Sequence, residues 1–353
     1  MKVRVLIVGD NRSFHTYRWF NSYKRAGFEV RAVGLEEGES LCERIKAKGK
    51  GKLKYLFSLP ELQRVVDDFK PDLIHAQMAG NYGLMASFIG KPYVLSLWGP
   101  DAVESPFKSA IHRALLKRVI KKAILIHTDS HLVKWFLIKN FDIEPHKVLV
   151  FPFGISRSFF EKEVEKPVGV VNLVTHRKLE NLYGHKVILK AAKILKERGR
   201  NFKLYIASFG SELQNLKRLA QELGLDDFVE FTGKLEEDEL ISLLAKSHIF
   251  ISSAYSDTTP NSLLEAMALK AFPVLSDLPV YREWILEGLN GLYFRPGDEV
   301  DLADKLEWAM ENLQSLEEPI RFNRKVAEKL ADWDKNFERF IGYLANTMER
   351  VIK

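Results

Sequence analysis

The sequence predicts an α/β protein: two Rossmann-like, doubly wound domains in tandem. Three observations carry this. The chain has 353 residues, long for one core and about right for two. Short apolar runs alternate with longer amphipathic ones, the rhythm of a parallel sheet with helices on both faces. That rhythm breaks once, near Pro152-Phe153-Gly154-Ile155, and then resumes.

In the first half, residues 4–8 (Arg-Val-Leu-Ile-Val) read as a buried first strand. The run is too short for a signal peptide and ends in Gly9-Asp10-Asn11-Arg12. A helix over 16–26 follows, then a strand at 30–33, a helix at 59–69 and strands at 73–75 and 93–97. A helix over 111–122, a strand at 124–127, a helix over 131–140 and a strand at 148–151 close the series. The charged stretch 161–166, then Pro167 and Gly169, reads as a linker. The second series places strands at 170–175, 203–207, 229–231, 249–252 and 273–276. Helices lie between or after them over 186–197, 213–223, 237–245, 261–269 and 302–312. The last pattern, 333–352, sets Phe337, Phe340, Ile341, Leu344 and Met348 at helical spacing. In such sheets ligands sit beyond the carboxyl ends of the strands, where strand order reverses. With two domains the natural site is the interdomain cleft.

Composition narrows the function. No stretch approaches the roughly 20 apolar residues of a membrane span. A single cysteine, Cys42, allows no internal disulfide and no cysteine metal site, which fits a cytoplasmic protein. Residues 1–165 carry 27 Lys+Arg against 18 Asp+Glu, and residues 166–353 carry 26 against 29. The first half is therefore the basic one, and an anionic partner is expected there. Zinc-finger spacing and RNA-binding aromatic motifs are missing, so nucleic acid is not expected as a partner. The one Asp-x-Asp, Asp332-Trp333-Asp334, heads the last helix and reads as helix-start chemistry rather than a metal site.

The most informative stretch is Ser256-Asp257-Thr258-Thr259-Pro260-Asn261-Ser262-Leu263-Leu264-Glu265-Ala266-Met267-Ala268. Thr259 reads as an N-cap, with Pro260 in the first helical turn. The N–H groups of Asn261, Ser262 and Leu263 would then point back toward the preceding strand end, a ready site for a phosphate or diphosphate. Asp257 and Glu265 flank that site and could accept hydrogen bonds from sugar or ribose hydroxyls. The alternative is a solvated loop aspartate and a local ion pair at Glu265.

Order and spacing favour the first reading. A carboxylate, seven residues, Glu-Ala-Met-Ala and then Pro-Val on a strand resembles the signature of family-4 retaining glycosyltransferases (group 1), which have the GT-B fold. Other segments fall in the family's order along nearly the whole chain: Lys70-Pro71-Asp72-Leu73-Ile74-His75-Ala76, Trp98-Gly99-Pro100-Asp101, Phe151-Pro152-Phe153-Gly154-Ile155, Thr175-His176-Arg177-Lys178-Leu179, Phe231-Thr232-Gly233 and Asn290-Gly291-Leu292. The resemblance implies domains over 1–160 and 167–330, with helix 333–353 crossing back onto the first. It implies a nucleotide-diphosphate sugar as donor substrate, no cofactor and no metal. Arg177 would bind the diphosphate, and Glu265 the ribose. Asp257 would contact the transferred sugar, helped by the backbone of Thr258, Thr259 and Pro260. Leu235 would lie against the base. Transfer would retain configuration through front-face attack, with no protein nucleophile. Three positions depart from the family. Asp257 stands where Glu is usual, Tyr183 where a diphosphate-binding Lys is common, and Trp98 where many relatives have a sugar-contacting His. Lys178, Lys186 or Arg12 could supply the missing charge, and Gly99 or Asp101 the sugar contact.

On the acceptor side, Asn11, Arg12 and His15 follow the first strand at the expected cleft. His15 reads equally as a general base or acceptor ligand and as a helix-start residue. His75 reads as a structural histidine. Two basic clusters stand out: Arg44, Lys46, Lys48, Lys50, Lys52 and Lys54, then Arg113, Lys117, Arg118, Lys121 and Lys122 on a helix that also carries Ile111. Such a surface suits anionic lipid at the inner face of a membrane, and the resemblance implies a glycan or lipid-linked acceptor. A solvated basic face is the plainer reading. The rival functions are a sugar-nucleotide epimerase on the same scaffold and a non-catalytic sugar- or nucleotide-binding protein.

Overall fold

A computed structural model describes residues 2–36, 42–46, 51, 53–97, 109–257 and 260–352. The chain divides into two compact domains, one built from Met1–Phe153 with Asp334–Lys353, the other from Gly154–Trp333.

The first domain holds seven parallel strands: β1 (Arg4–Val8), β2 (Glu29–Gly34), β3 (Glu43–Arg44), β4 (Leu73–Gln77), β5 (Tyr93–Leu97), β6 (Leu125–Thr128) and β7 (Val148–Val150). Their order in the sheet is β3-β2-β1-β4-β5-β6-β7. Helices α1 (Phe14–Arg25), α2 (Leu53–Phe57), α3 (Leu59–Phe69), α4 (Leu84–Ile89), α5 (Ala110–Lys122) and α6 (His131–Phe141) connect or flank them. Every residue of β4 and of β5 is buried, as expected for strands covered on both faces. Ser109 and Ser130 cap α5 and α6 by accepting from the N–H groups of His112 and Leu132.

The second domain has six parallel strands, β8 (Val171–Thr175), β9 (Phe202–Ile206), β10 (Val229–Phe231), β11 (Ile249–Ser252), β12 (Phe272–Ser276) and β13 (Leu292–Phe294), in the order β10-β9-β8-β11-β12-β13. Its helices are α7 (Ser158–Glu161), α8 (His185–Glu197), α9 (Leu213–Glu222), α10 (Glu237–Lys246), α11 (Asn261–Ala268), α12 (Glu299–Glu311) and α13 (Glu317–Leu330), and α14 (Trp333–Ile352) follows. The stretch 161–166, expected as a linker, belongs to this domain. Lys166 Nζ donates to the carbonyls of Leu244 (3.1 Å), Leu269 (2.8 Å) and Ser247, at the carboxyl ends of α10 and α11. The amine faces the negative ends of two helix dipoles, while burial pushes its pKa down to about 7.

α14 belongs to the first domain from Asp334 onward. Phe337 and Phe340 pack on Trp19, with ring centroids 5.8 and 4.8 Å apart. Beneath them runs a buried polar chain across three strands. Tyr23 Oη meets His75 Nδ1 (3.1 Å), His75 Nε2 meets Ser96 Oγ (2.8 Å), Ser96 Oγ meets His127 Nδ1 (3.2 Å), and His127 Nε2 meets the Phe151 carbonyl (3.0 Å). A carbonyl only accepts, so His127 carries its proton on Nε2. Its Nδ1 then accepts from Ser96, whose oxygen accepts from His75 Nε2, and Tyr23 donates to His75 Nδ1. Both histidines are neutral, and every proton runs one way. His75 is thus the structural histidine that the sequence suggests.

Candidate active site

In the second domain the strand order reverses between β8 and β11. Loops leaving these neighbours diverge and open a crevice at the carboxyl ends. The loop after β8 carries His176 and Arg177, the loop after β11 leads through Asp257 into α11, and the turn after β12 carries Tyr281.

Arg177 ties these loops together. Its Nη1 donates to Ser262 Oγ (3.0 Å), and its Nη2 lies 2.8 Å from Asp257 Oδ1 and 2.8 Å from Oδ2. The pair is well buried, with side chains 12% and 8% exposed. Tyr281 donates to Asp257 Oδ2 at 2.9 Å, and its oxygen lies 2.9 Å from Ser252 Oγ. Burial and the Asp257 charge push the Tyr281 phenol up, so it stays protonated and donates. The Tyr183 ring backs the guanidinium, with Cζ 4.4 Å from the ring centroid.

On the other side of the loop, His176 Nε2 donates to Glu265 Oε2 at 2.8 Å. Thr175 Oγ1, His176 Nδ1 and Arg177 Nε are buried with no hydrogen-bond partner among the described residues. Unmet polar atoms of this kind are unusual in a finished core. The three lie on consecutive residues at the carboxyl end of β8.

The start of α11 differs from the expectation in one respect. Pro260, not Thr259, is the last residue before the helix, in extended conformation. Its carbonyl accepts from the N–H of Leu263 at 3.0 Å, so that group is not a free donor. The Leu263 side chain is wholly buried in the core. The N–H groups of Asn261 and Ser262, at the start of the helix, precede the first intrahelical acceptor. Thr258 and Thr259 lie outside the described residues.

The Tyr183 loop is fastened to the loop after β11. Ser253 Oγ donates to the Tyr183 carbonyl (2.8 Å), and Tyr255 N–H donates to the Leu182 carbonyl (2.9 Å). Gly184 has φ +61°, and a Cβ there would meet the Ser253 carbonyl oxygen at 2.3 Å, so only glycine allows this approach. This fastening holds the Tyr183 ring against the Arg177 guanidinium. Lys186 pairs with Glu212 at 2.9 Å, and Lys178 is exposed. Leu235 stands apart from this group, in a pocket with Tyr205, Thr232 and Leu243.

In the first domain, Asn11, Arg12 and His15 follow β1, which adjoins β2 and β4 where that sheet reverses. Asn11 is buried and donates to the Glu36 carbonyl at 2.9 Å. Arg12 is held by Asp10, with Nη2–Oδ2 at 3.0 Å. His15 packs on Phe153, ring centroids 4.2 Å apart, and burial pushes its pKa down to about 4. The ring is therefore neutral near pH 7. Trp98, Gly99 and Asp101, and also Lys48, Lys50 and Lys52, lie outside the described residues.

His176 and Tyr281 were not among the expected site residues. His176 sits inside a quoted motif, beside the more conspicuous arginine. Tyr281 follows the third strand end at the same edge of the sheet, and that position was its only signal.

The fold and this site define a class. The structure aligns with that of HepE of Anabaena in complex with UDP at a TM-score of 0.81, covering 98% of this chain and 100% of that one at 14% identity. The architecture is GT-B. Residues 156–326 match the glycosyl transferases group 1, and residues 4–130 match the glycosyl transferase 4-like family. Both domains therefore match glycosyltransferase families, the second that of group 1. The chain is 26% identical over 241 residues to the O-antigen chain mannosyltransferase RfbU of Salmonella typhimurium, covering 68% of this chain and 64% of that protein. It is 24% identical over 328 residues to the alpha-monoglucosyldiacylglycerol synthase of Streptococcus pneumoniae, covering 82% and 73%. The match spans just under two thirds of the length of RfbU and of a glycosyltransferase from Methanocaldococcus jannaschii (65%).

Proposed function

We propose that this chain is a retaining, metal-independent hexosyltransferase that moves a sugar from a nucleotide-diphosphate donor to a glycan or lipid-linked acceptor. The observation that carries the reading is the cluster of Arg177, Asp257, Ser262 and Glu265 around the start of α11. Glycosyl transfer builds negative charge on the departing diphosphate. A fixed guanidinium and a helix N-terminus stabilise that charge as it forms. Glu265, oriented by His176, takes the donor ribose. Asp257 and the adjoining turn face the transferred sugar. The leaving phosphate itself accepts the proton of the incoming hydroxyl, so neither a protein nucleophile nor a metal ion is required.

The test is a thermal-shift screen of UDP, GDP and ADP and their hexose conjugates, with and without EDTA. One nucleotide at roughly 100 times its dissociation constant should add about 2.7 kcal/mol of stability. EDTA should leave that gain intact, and Glu265→Ala should remove most of it. A gain that vanishes with EDTA would overturn metal independence. An unchanged gain in Glu265→Ala would overturn the ribose role. Turnover of the donor without acceptor, giving an altered sugar nucleotide, would favour an epimerase instead.

The acceptor side is assigned to the first domain, at an anionic membrane surface. No helix among the described residues is long and apolar enough to cross a membrane. α5 instead exposes Ile111 beside Arg113, Lys117, Arg118 and Lys121, and α6 exposes Leu132 and Trp135 beside Lys139. Apolar tips among basic residues suit a lipid interface, each basic residue contributing about 1 kcal/mol. The protein should float with vesicles containing phosphatidylglycerol at low salt, and Trp135→Ala should weaken this. Sedimentation away from such vesicles would sink the idea.

A further inference from the structure

The aspartate at 257, where the family resemblance sets a glutamate, has a physical counterpart in the turn after β12. Tyr281 is fully buried and packs in the same core cluster as Leu264, Met267 and Leu275. Its hydroxyl is fixed from two sides, by Ser252 Oγ at 2.9 Å and Asp257 Oδ2 at 2.9 Å. A carboxylate only accepts, so the phenol proton points at Asp257 and Ser252 donates to the phenol oxygen. The same carboxylate meets Arg177 Nη2 through both of its oxygens, each at 2.8 Å. Asp257 is therefore held by a guanidinium and a phenol, both already at hydrogen-bond distance and sharing Oδ2.

A glutamate reaches roughly 1.5 Å further from the backbone. Placed here, its carboxylate would have to displace either Arg177 or Tyr281. We infer that Tyr281 is a positioning residue: it sets the reach of the carboxylate at 257, makes aspartate the residue that fits, and through Asp257 aims Arg177 at the donor. The inference rests on the donor-site reading above. It also makes residues 257 and 281 a matched pair, each of which is wrong without the other.

The experiment measures kcat and donor KM for Tyr281→Phe, Asp257→Glu, the double variant and Arg177→Ala, with the donor that the nucleotide screen selects. Losing one hydrogen bond to a charged group should lower kcat of Tyr281→Phe by on the order of 10- to 100-fold, with donor KM near that of the wild type. Asp257→Glu should fall further. Removing the phenol oxygen in Asp257→Glu/Tyr281→Phe should restore turnover at least roughly tenfold over Asp257→Glu, because the space then admits the longer side chain. A merely structural tyrosine would give neither the kcat-only loss nor the rescue. Wild-type kcat in Tyr281→Phe, or a double variant no better than Asp257→Glu, overturns the positioning role. If Arg177→Ala is impaired in that case, the donor site stands without it. If Arg177→Ala also turns over normally, both fall together.

Discussion

Arg177→Ala is expected to lose donor turnover by roughly 10²- to 10³-fold, the usual cost of removing one charge-stabilising donor. It should also lose about 3–5 kcal/mol of folding stability, because the change strands Asp257, 8% exposed, without its cation. The two losses separate in a second variant. Arg177→Ala with Asp257→Asn removes the stranded charge and should regain most of the stability while remaining inactive. Arg177→Lys keeps the charge but loses the fork that spans Ser262 and Asp257 and the flat face that lies on Tyr183. It should be intermediate in stability and poor in turnover. Urea midpoints and kcat decide the matter. A fully stable Arg177→Ala would mean that the pair contributes nothing to folding, and unimpaired turnover would remove Arg177 from leaving-group stabilisation.

The second large effect is acid loss of the first domain. Burial pushes His75 down to about 3, and His127 and His15 down to about 4. An unfolded histidine titrates near pH 6.5. The folded values lie below the unfolded one, so the stability held by these neutral rings is complete above about pH 6.5 and is lost as pH falls toward 4. In that window the unfolded chain takes up protons that the folded rings do not, so stability falls as pH drops. In the second domain only His185 among the described residues is brought as low as about 4. Carboxylates held low by partners, such as Asp10 beside Arg12, add their loss only further down the pH scale. Thermal melts from pH 7.5 to 4.5 should show the first domain failing first, with its midpoint falling steeply below pH 6. Flat melting across pH 6.5–4.5 would contradict neutral burial. His127→Gln should soften the acid slope even as it lowers stability at neutral pH.

The sequence made the two-domain α/β fold legible because parallel strands buried on both faces read as short apolar runs, β4 and β5 above all. It did not mark β3, which pairs only through Glu43 and Arg44. Nor did it mark α13, which buries just Asn323 and Ala327 and carries Pro319 in its first turn, where a missing N–H costs little. In the site, Asp257 and Glu265 were legible as carboxylates flanking a helix start, and Arg177 only through the family resemblance. Their partners were not, because Arg177 meets Asp257 across 80 positions of chain and Glu265 meets His176 across 89. The reason for aspartate at 257 was invisible for the same cause, since it lies in a tyrosine on a different strand end. Leu263 was misread as a free donor because the sequence does not say which residue ends the extended segment before a helix.

The first domain takes its last element from the far end of the chain, since α14 follows all of the second domain. During synthesis the second domain emerges whole and can fold as a contiguous piece, as domains generally do. The first cannot. Until Phe337 and Phe340 have been made, Trp19 and the hydrogen-bonded histidines lack the rings that close over them. The domain made first is thus the domain finished last, and it must wait through the translation of some 180 residues with an aromatic floor open to water.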